Sequence, residues 1–191
     1  MKFAKSLLAL AVVGAAFSAQ AESNFVTTGN ASAKLNFSVV VPRVLFLQVG
    51  TGTAFANNTT VDSVTFTVPA VEVGTANAST AWTPAASSTV NVKVLGNNGA
   101  VSLTGNGTSG GLAGTTTPAN KILWSEFTLS QSNASLPNPA IGNGVAGAAS
   151  ALAATANVVN QTGTWTFAFK NTNVMAADTY GGQVVYTATM P

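Results

Sequence analysis

The side chains that most often carry enzymatic or metal chemistry are nearly missing from this sequence. There is no His and no Cys among its 191 residues. Imidazole and thiolate metal sites, Cys nucleophiles and His-based triads are thereby excluded. What remains for proton transfer is five carboxylates, Glu22, Asp62, Glu72, Glu126 and Asp178, none within nine residues of another. Glu72 and Glu126 could meet in space as paired carboxylates do in glycosidases, yet nothing in the sequence favours that over five solvated acids. The expectation is a protein that is not an enzyme and that carries no cofactor or metal.

The pattern that does stand out serves recognition. From Phe25 the odd positions read Phe25, Thr27, Gly29, Ala31, Ala33, Leu35, Phe37, Val39 and Val41, while the even ones from Thr28 read Thr28, Asn30, Ser32, Lys34, Asn36 and Ser38. Residues 29–37 therefore form an amphipathic strand with one face for a core, its side chains growing from small to large. Pro42 has no N–H to donate and interrupts the ladder. A second run, residues 43–49, starts at once and is apolar on both faces, as a central strand would be. Two readings of residues 29–41 stand side by side. The segment is either the domain's own first edge strand or an extension that completes a neighbour's sheet by strand addition. Burying Leu35, Phe37 and Val39 at about 2 kcal/mol each would contribute on the order of 6 kcal/mol before ordering costs.

The surrounding elements set the context. Lys2 and Lys5 precede an apolar run of 12 residues, 6–17, and Ala19-Gln20-Ala21 has the small-x-small form of a cleavage site. Residues 1–21 read as a secretory signal, too short for the roughly 18 apolar residues of a membrane span. No comparable run follows, so no transmembrane segment is expected in the mature chain. Removing 21 of 191 residues leaves 170, with five Lys or Arg against five acids. A neutral chain so poor in charge cannot neutralise phosphates, which excludes nucleic acid as a partner. An exported chain without disulfides must draw its stability from packing, from β-ladders or from another subunit.

Period-two alternation dominates the remainder. Strands are expected around Val64, Phe66 and Val68; around Val90, Val92 and Val94; around Leu123, Phe127 and Leu129; around Trp165, Phe167 and Phe169; and over residues 183–190. Turn formers separate them, as at Gly96-Asn97-Asn98-Gly99. The expected class is all-β, with six to eight strands in a sandwich. Residues 137–163, rich in Ala, Gly and Ser, are expected to form a mobile surface excursion, either a short helix or a long loop.

At its two ends the chain resembles a known family. The leader, then Thr28-Gly29-Asn30-Ala31-Ser32-Ala33-Lys34-Leu35-Asn36-Phe37-Ser38, then a Val/Thr/Gly/Ala-rich domain closing on Tyr180-Gly181-Gly182-Gln183-Val184-Val185-Tyr186-Thr187-Ala188-Thr189-Met190, is similar to fimbrial subunits of the chaperone-usher pathway, most of all their archaic and alpha branches. The resemblance implies an incomplete immunoglobulin-like β-sandwich completed by donor-strand exchange. It implies three parts: signal peptide 1–21, donor-strand extension 22–37 and pilin domain 38–191. Gly29, Ala31, Ala33, Leu35 and Phe37 become the donor residues, with Gly29 or Ala31 at the narrowest site. Val184, Tyr186, Ala188 and Met190 become one wall of the acceptor groove and the strand that pairs with a periplasmic chaperone, with the carboxylate of Pro191 held by basic side chains of that chaperone. The implied partners are identical or related pilin subunits, the chaperone and an outer-membrane usher. The implied location is the cell surface, reached through the periplasm, in a fibre supporting adhesion or biofilm formation. The family often carries a disulfide near the domain start, where this chain has Val41, and a terminal Pro departs from the pattern because Pro cannot donate to a ladder.

Two other functions compete. A secreted carbohydrate-binding or adhesin β-sandwich would use Trp82, Trp124 or Trp165 to stack sugars. Trp165 reads as core instead, and Trp82 lies in an Ala/Thr/Pro loop. A functional amyloid would suit the low charge and Thr/Val content, but the sequence lacks the repeats such subunits use.

Overall fold

The computed structural model describes residues 22–52, 55–76 and 89–191. The expected signal peptide and Trp82 lie outside the described residues. The chain divides into two units, residues 1–41 and 42–191.

In the first unit, described residues 22–41 form neither strand nor helix. Gly29 adopts a φ of +89°, and Leu35, Phe37 and Val39 are 68%, 87% and 85% exposed. The alternation is present, but a strand without a ladder partner has nothing to hold it as a strand.

The second unit is all-β. In chain order its strands are β1 (Leu45–Val49), β2 (Thr89–Gly96), β3 (Val101–Gly107), β4 (Leu112–Gly114), β5 (Lys121–Ile122), β6 (Phe127–Gln131), β7 (Ile141–Asn143), β8 (Ser150–Leu152), β9 (Val159–Phe169), β10 (Tyr180–Gly181) and β11 (Val184–Thr189). Single 3-10 turns occur at Ala70–Glu72 and Trp124–Glu126. One sheet has the order β1-β2-β9-β6, a second runs β11-β3-β7 with β8 also on β3, and β10-β4-β5 form a small third. Pairing is antiparallel except between β3 and β7.

Alternation decides what each strand buries. Val92 and Val94 point inward from β2, Val101 and Leu103 from β3, and Val159 and Trp165 from β9; with Leu136 and Leu152 they form one core cluster shared by the two larger sheets. Trp165 is fully buried and donates its indole N–H to the Leu136 carbonyl at 3.1 Å. Its ring lies 4.9 Å from that of Tyr186 on β11. A second cluster gathers Phe66, Phe127, Phe169 and Ile122.

Three expectations change. Residues 43–49 contain β1, an edge strand rather than a central one. Its two apolar faces arise because Leu47 and Val49 pack on the core while Phe46 is covered by Phe55 at 5.2 Å. Residues 64–68 keep their inward alternation but form no strand. Residues 137–163 are not a surface excursion: β7, β8 and the start of β9 lie there, and Pro139, Leu152 and Val159 are fully buried. The small residues are needed for close backbone approach, since a Cβ on Gly142 would come within 2.0 Å of the Val145 carbonyl oxygen.

Candidate acceptor groove

Among the edge strands of the domain, β1 ends the first sheet and β11 ends the second, each with one neighbour. The start of β1 and the end of β11 meet at the β2–β3 corner. There Asn97 clamps the beginning of β1, its amide donating to the Pro42 carbonyl at 2.7 Å and its oxygen accepting from the Val44 N–H at 2.8 Å. The guanidinium of Arg43 donates to the Met190 carbonyl at 3.1 Å, and Asn98 donates to Pro191 at 2.7 Å. The end of β11 is thus moored beside the start of β1.

Away from this clasp a cleft of about 590 Å³ opens. Phe46, Leu47 and Val49 line it from β1, Val90 and Phe167 from the same sheet, and Val184 and Tyr186 from β11. Leu112, Trp124, Phe127 and Ile141 line it further along, and Val61, Val64 and Phe66 supply the remaining wall. The lining is mostly apolar because the alternating strands turn their apolar side chains to that face. The polar side chains in the wall are largely engaged with their own backbone: Gln48 donates to the carbonyls of Gly50 and Gly52 at 3.1 and 3.2 Å. Trp124 donates its indole N–H to Thr108 at 2.9 Å. The hydroxyl of Tyr186 is buried with no hydrogen-bond partner among the described residues, and burial pushes its pKa up.

The residues singled out in the sequence fall as follows. Val184 and Tyr186 line the cleft. Ala188 on the same face of β11 and Met190 just beyond its end are half-buried against the core beside the clasp. Pro191 is exposed and accepts from Asn98 of its own chain. Gly29, Ala31, Ala33, Leu35 and Phe37 all belong to the exposed first unit. Trp165 is core, as its neighbours in sequence indicated. Sequence reasoning missed Phe46, Phe66, Leu112, Trp124, Phe127 and Asp62 as cleft residues. The two-faced apolar character of residues 43–49 was a signal for Phe46 alone.

Asp62 and Asp178 act as local fasteners. Asp62 accepts from the Thr51 hydroxyl at 2.7 Å and from the Thr51 N–H at 2.5 Å, and these bonds, the hydroxyl's first, hold its pKa below the ordinary 3.8. Asp178 accepts from the backbone N–H groups of Thr116, Thr117 and Thr179 and is lowered likewise, Thr116 contributing most. A carboxyl group with a depressed folded-state pKa contributes stability that is present above its unfolded value and lost as pH falls through the folded one. The melting temperature should therefore be flat between neutral pH and about pH 5 and fall below about pH 4. Asp178→Asn should lower the plateau and reduce that fall. Thermal melts from pH 7 to pH 2 check this, and an equally steep fall in the variant refutes it.

Scans against protein-family models, curated proteins and solved structures each returned no match for this chain. Among the described residues, no helix is long and apolar enough to cross a membrane.

Proposed function

We propose that the protein is a structural subunit of a cell-surface fibre, polymerising by strand addition between copies. In this reading the domain is an incomplete immunoglobulin-like sandwich, and residues 29–37 of one copy complete the sheet of the next. The observation that carries it is the apolar cleft between two edge strands, in a chain that also carries an exposed, one-faced strand sequence. The edge of β11 offers six residues of unpaired ladder, and an inserted strand would gain main-chain hydrogen bonds there while burying Leu35 and Phe37. As the resemblance implies, Gly29 or Ala31 would take the narrowest site of the groove.

Such a contact is heterologous and head-to-tail, so it generates an open filament wherever its rotation does not close. An uncapped cleft with free strand edges is an aggregation hazard, which fits export through the periplasm with a chaperone covering the groove and an usher exchanging it for the next subunit. The fibre would serve adhesion or biofilm formation. A non-enzymatic role agrees with the fastened carboxylates.

Deleting residues 31–37 should abolish polymers while leaving the domain folded. The assay is SDS electrophoresis of unboiled surface material, where the intact chain should run as a ladder that collapses on boiling. Fibres of normal length from the deletion would end the proposal.

A further inference from the structure

One wall of the cleft has the sequence of a strand without its ladder. Val64, Phe66 and Val68 are half-buried in alternation with exposed neighbours, yet residues 61–68 make no backbone–backbone hydrogen bond to another described residue. Two side chains fix the segment. Phe66 is set among aromatic rings, 5.8 Å from Phe127 and 6.4 Å from Phe169. At the other end the Asp62 carboxylate is tied to Thr51 by the two bonds described above. The turn after β1 is shaped for that carboxylate: Gly50 sits at a φ of +94°, and a Cβ there would come within 2.4 Å of Asp62 Oδ2. Asn58 donates to the Thr51 carbonyl at 3.2 Å and reinforces the same turn.

Val64, between these anchors, and Val61, just before Asp62, line the apolar cleft. Apolar walls with only water between them are driven together, so something must hold them apart. We propose that Asp62 is a positioning residue that keeps the mouth of the cleft open, its tether to Thr51 holding Val61 and Val64 back beside β1 so that a strand from a second copy of this chain can be seated. The inference rests on the strand-addition reading above. Without the tether, the wall turns about Phe66 toward Val184 and Tyr186, and the cleft fills itself.

The test uses the full mature chain, refolded from denaturant and mixed with a fluorescent peptide of residues 28–39, with capture and release followed by polarisation. In Asp62→Ala, capture should slow roughly tenfold with release unchanged, because a seated strand then holds the wall itself. Binding of an anilinonaphthalene sulfonate dye should fall, since less apolar surface is open. A residue that merely stabilises the fold gives the reverse, more dye bound and faster release, and that result overturns the positioning role. Should Asp62→Ala not fold, Thr51→Val removes only the hydroxyl bond and Asp62→Asn keeps an acceptor for the N–H; both should capture at intermediate rates. Wild-type rates in these variants overturn the inference and leave strand addition standing. If the unaltered chain captures no peptide, strand addition itself fails and the inference falls with it.

Discussion

Trp165→Ala should remove about 3–5 kcal/mol of unfolding free energy, the range for deleting a large buried aromatic. The side chain is fully buried, is shared by both larger sheets through the core cluster, and touches Tyr186 across the interior. Its loss also strands the Leu136 carbonyl, which accepts the indole N–H, and an unpaired buried acceptor adds to the cost. Domains of this kind have about 5–15 kcal/mol in all, so the variant should sit close to the unfolding threshold at 37 °C. Denaturant melts read the change directly. Trp165→Phe should restore part of it, because the ring packing returns and the hydrogen bond does not. A midpoint within error of the unaltered chain would show that Trp165 does not organise the core.

The second large effect concerns assembly. Leu35 is 68% exposed in its own chain, so Leu35→Asp should change the stability of the subunit by no more than about 0.5 kcal/mol. Under strand addition the same side chain is buried in a neighbour. The substitution then loses about 2 kcal/mol of apolar burial and places an unpaired carboxylate against an apolar wall. Polymers should disappear while the denaturant midpoint of the soluble chain stays where it was. SDS-resistant ladders as long as those of the unaltered chain would sink strand addition at this residue, and Leu35→Met, which keeps the apolar volume, should assemble normally.

The particular strands explain how far the sequence could be read. Val90, Val92 and Val94 alternate cleanly, and β2 lies where that alternation placed it. Trp165 was legible as core because Phe167 and Phe169 share its strand. Val64, Phe66 and Val68 show the limit of the signal: periodicity reports which side chains face inward, and it is silent on whether a neighbour supplies hydrogen bonds. Residues 43–49 failed for a related reason. Apolar residues on both faces were read as a central position, whereas β1 is an edge strand beside the cleft with Phe55 over its other face. Residues 137–163 were misread because Ala and Gly carry little hydrophobic pattern, although their smallness is what lets β7 and its following loop pack on β3. The cleft itself brings together positions as distant as Phe46 and Tyr186. No local window contains it.

The contact between Trp165 and Tyr186 has an optical consequence. Tyr186 lines the cleft and rests on a buried indole, and Trp124 lines the same cleft. Two of the three tryptophans therefore sense what occupies that space. Under the proposed strand addition, seating a strand would remove water beside Trp124 and restrain the ring that packs on Trp165, so intrinsic emission would give a label-free clock for each subunit joining a fibre.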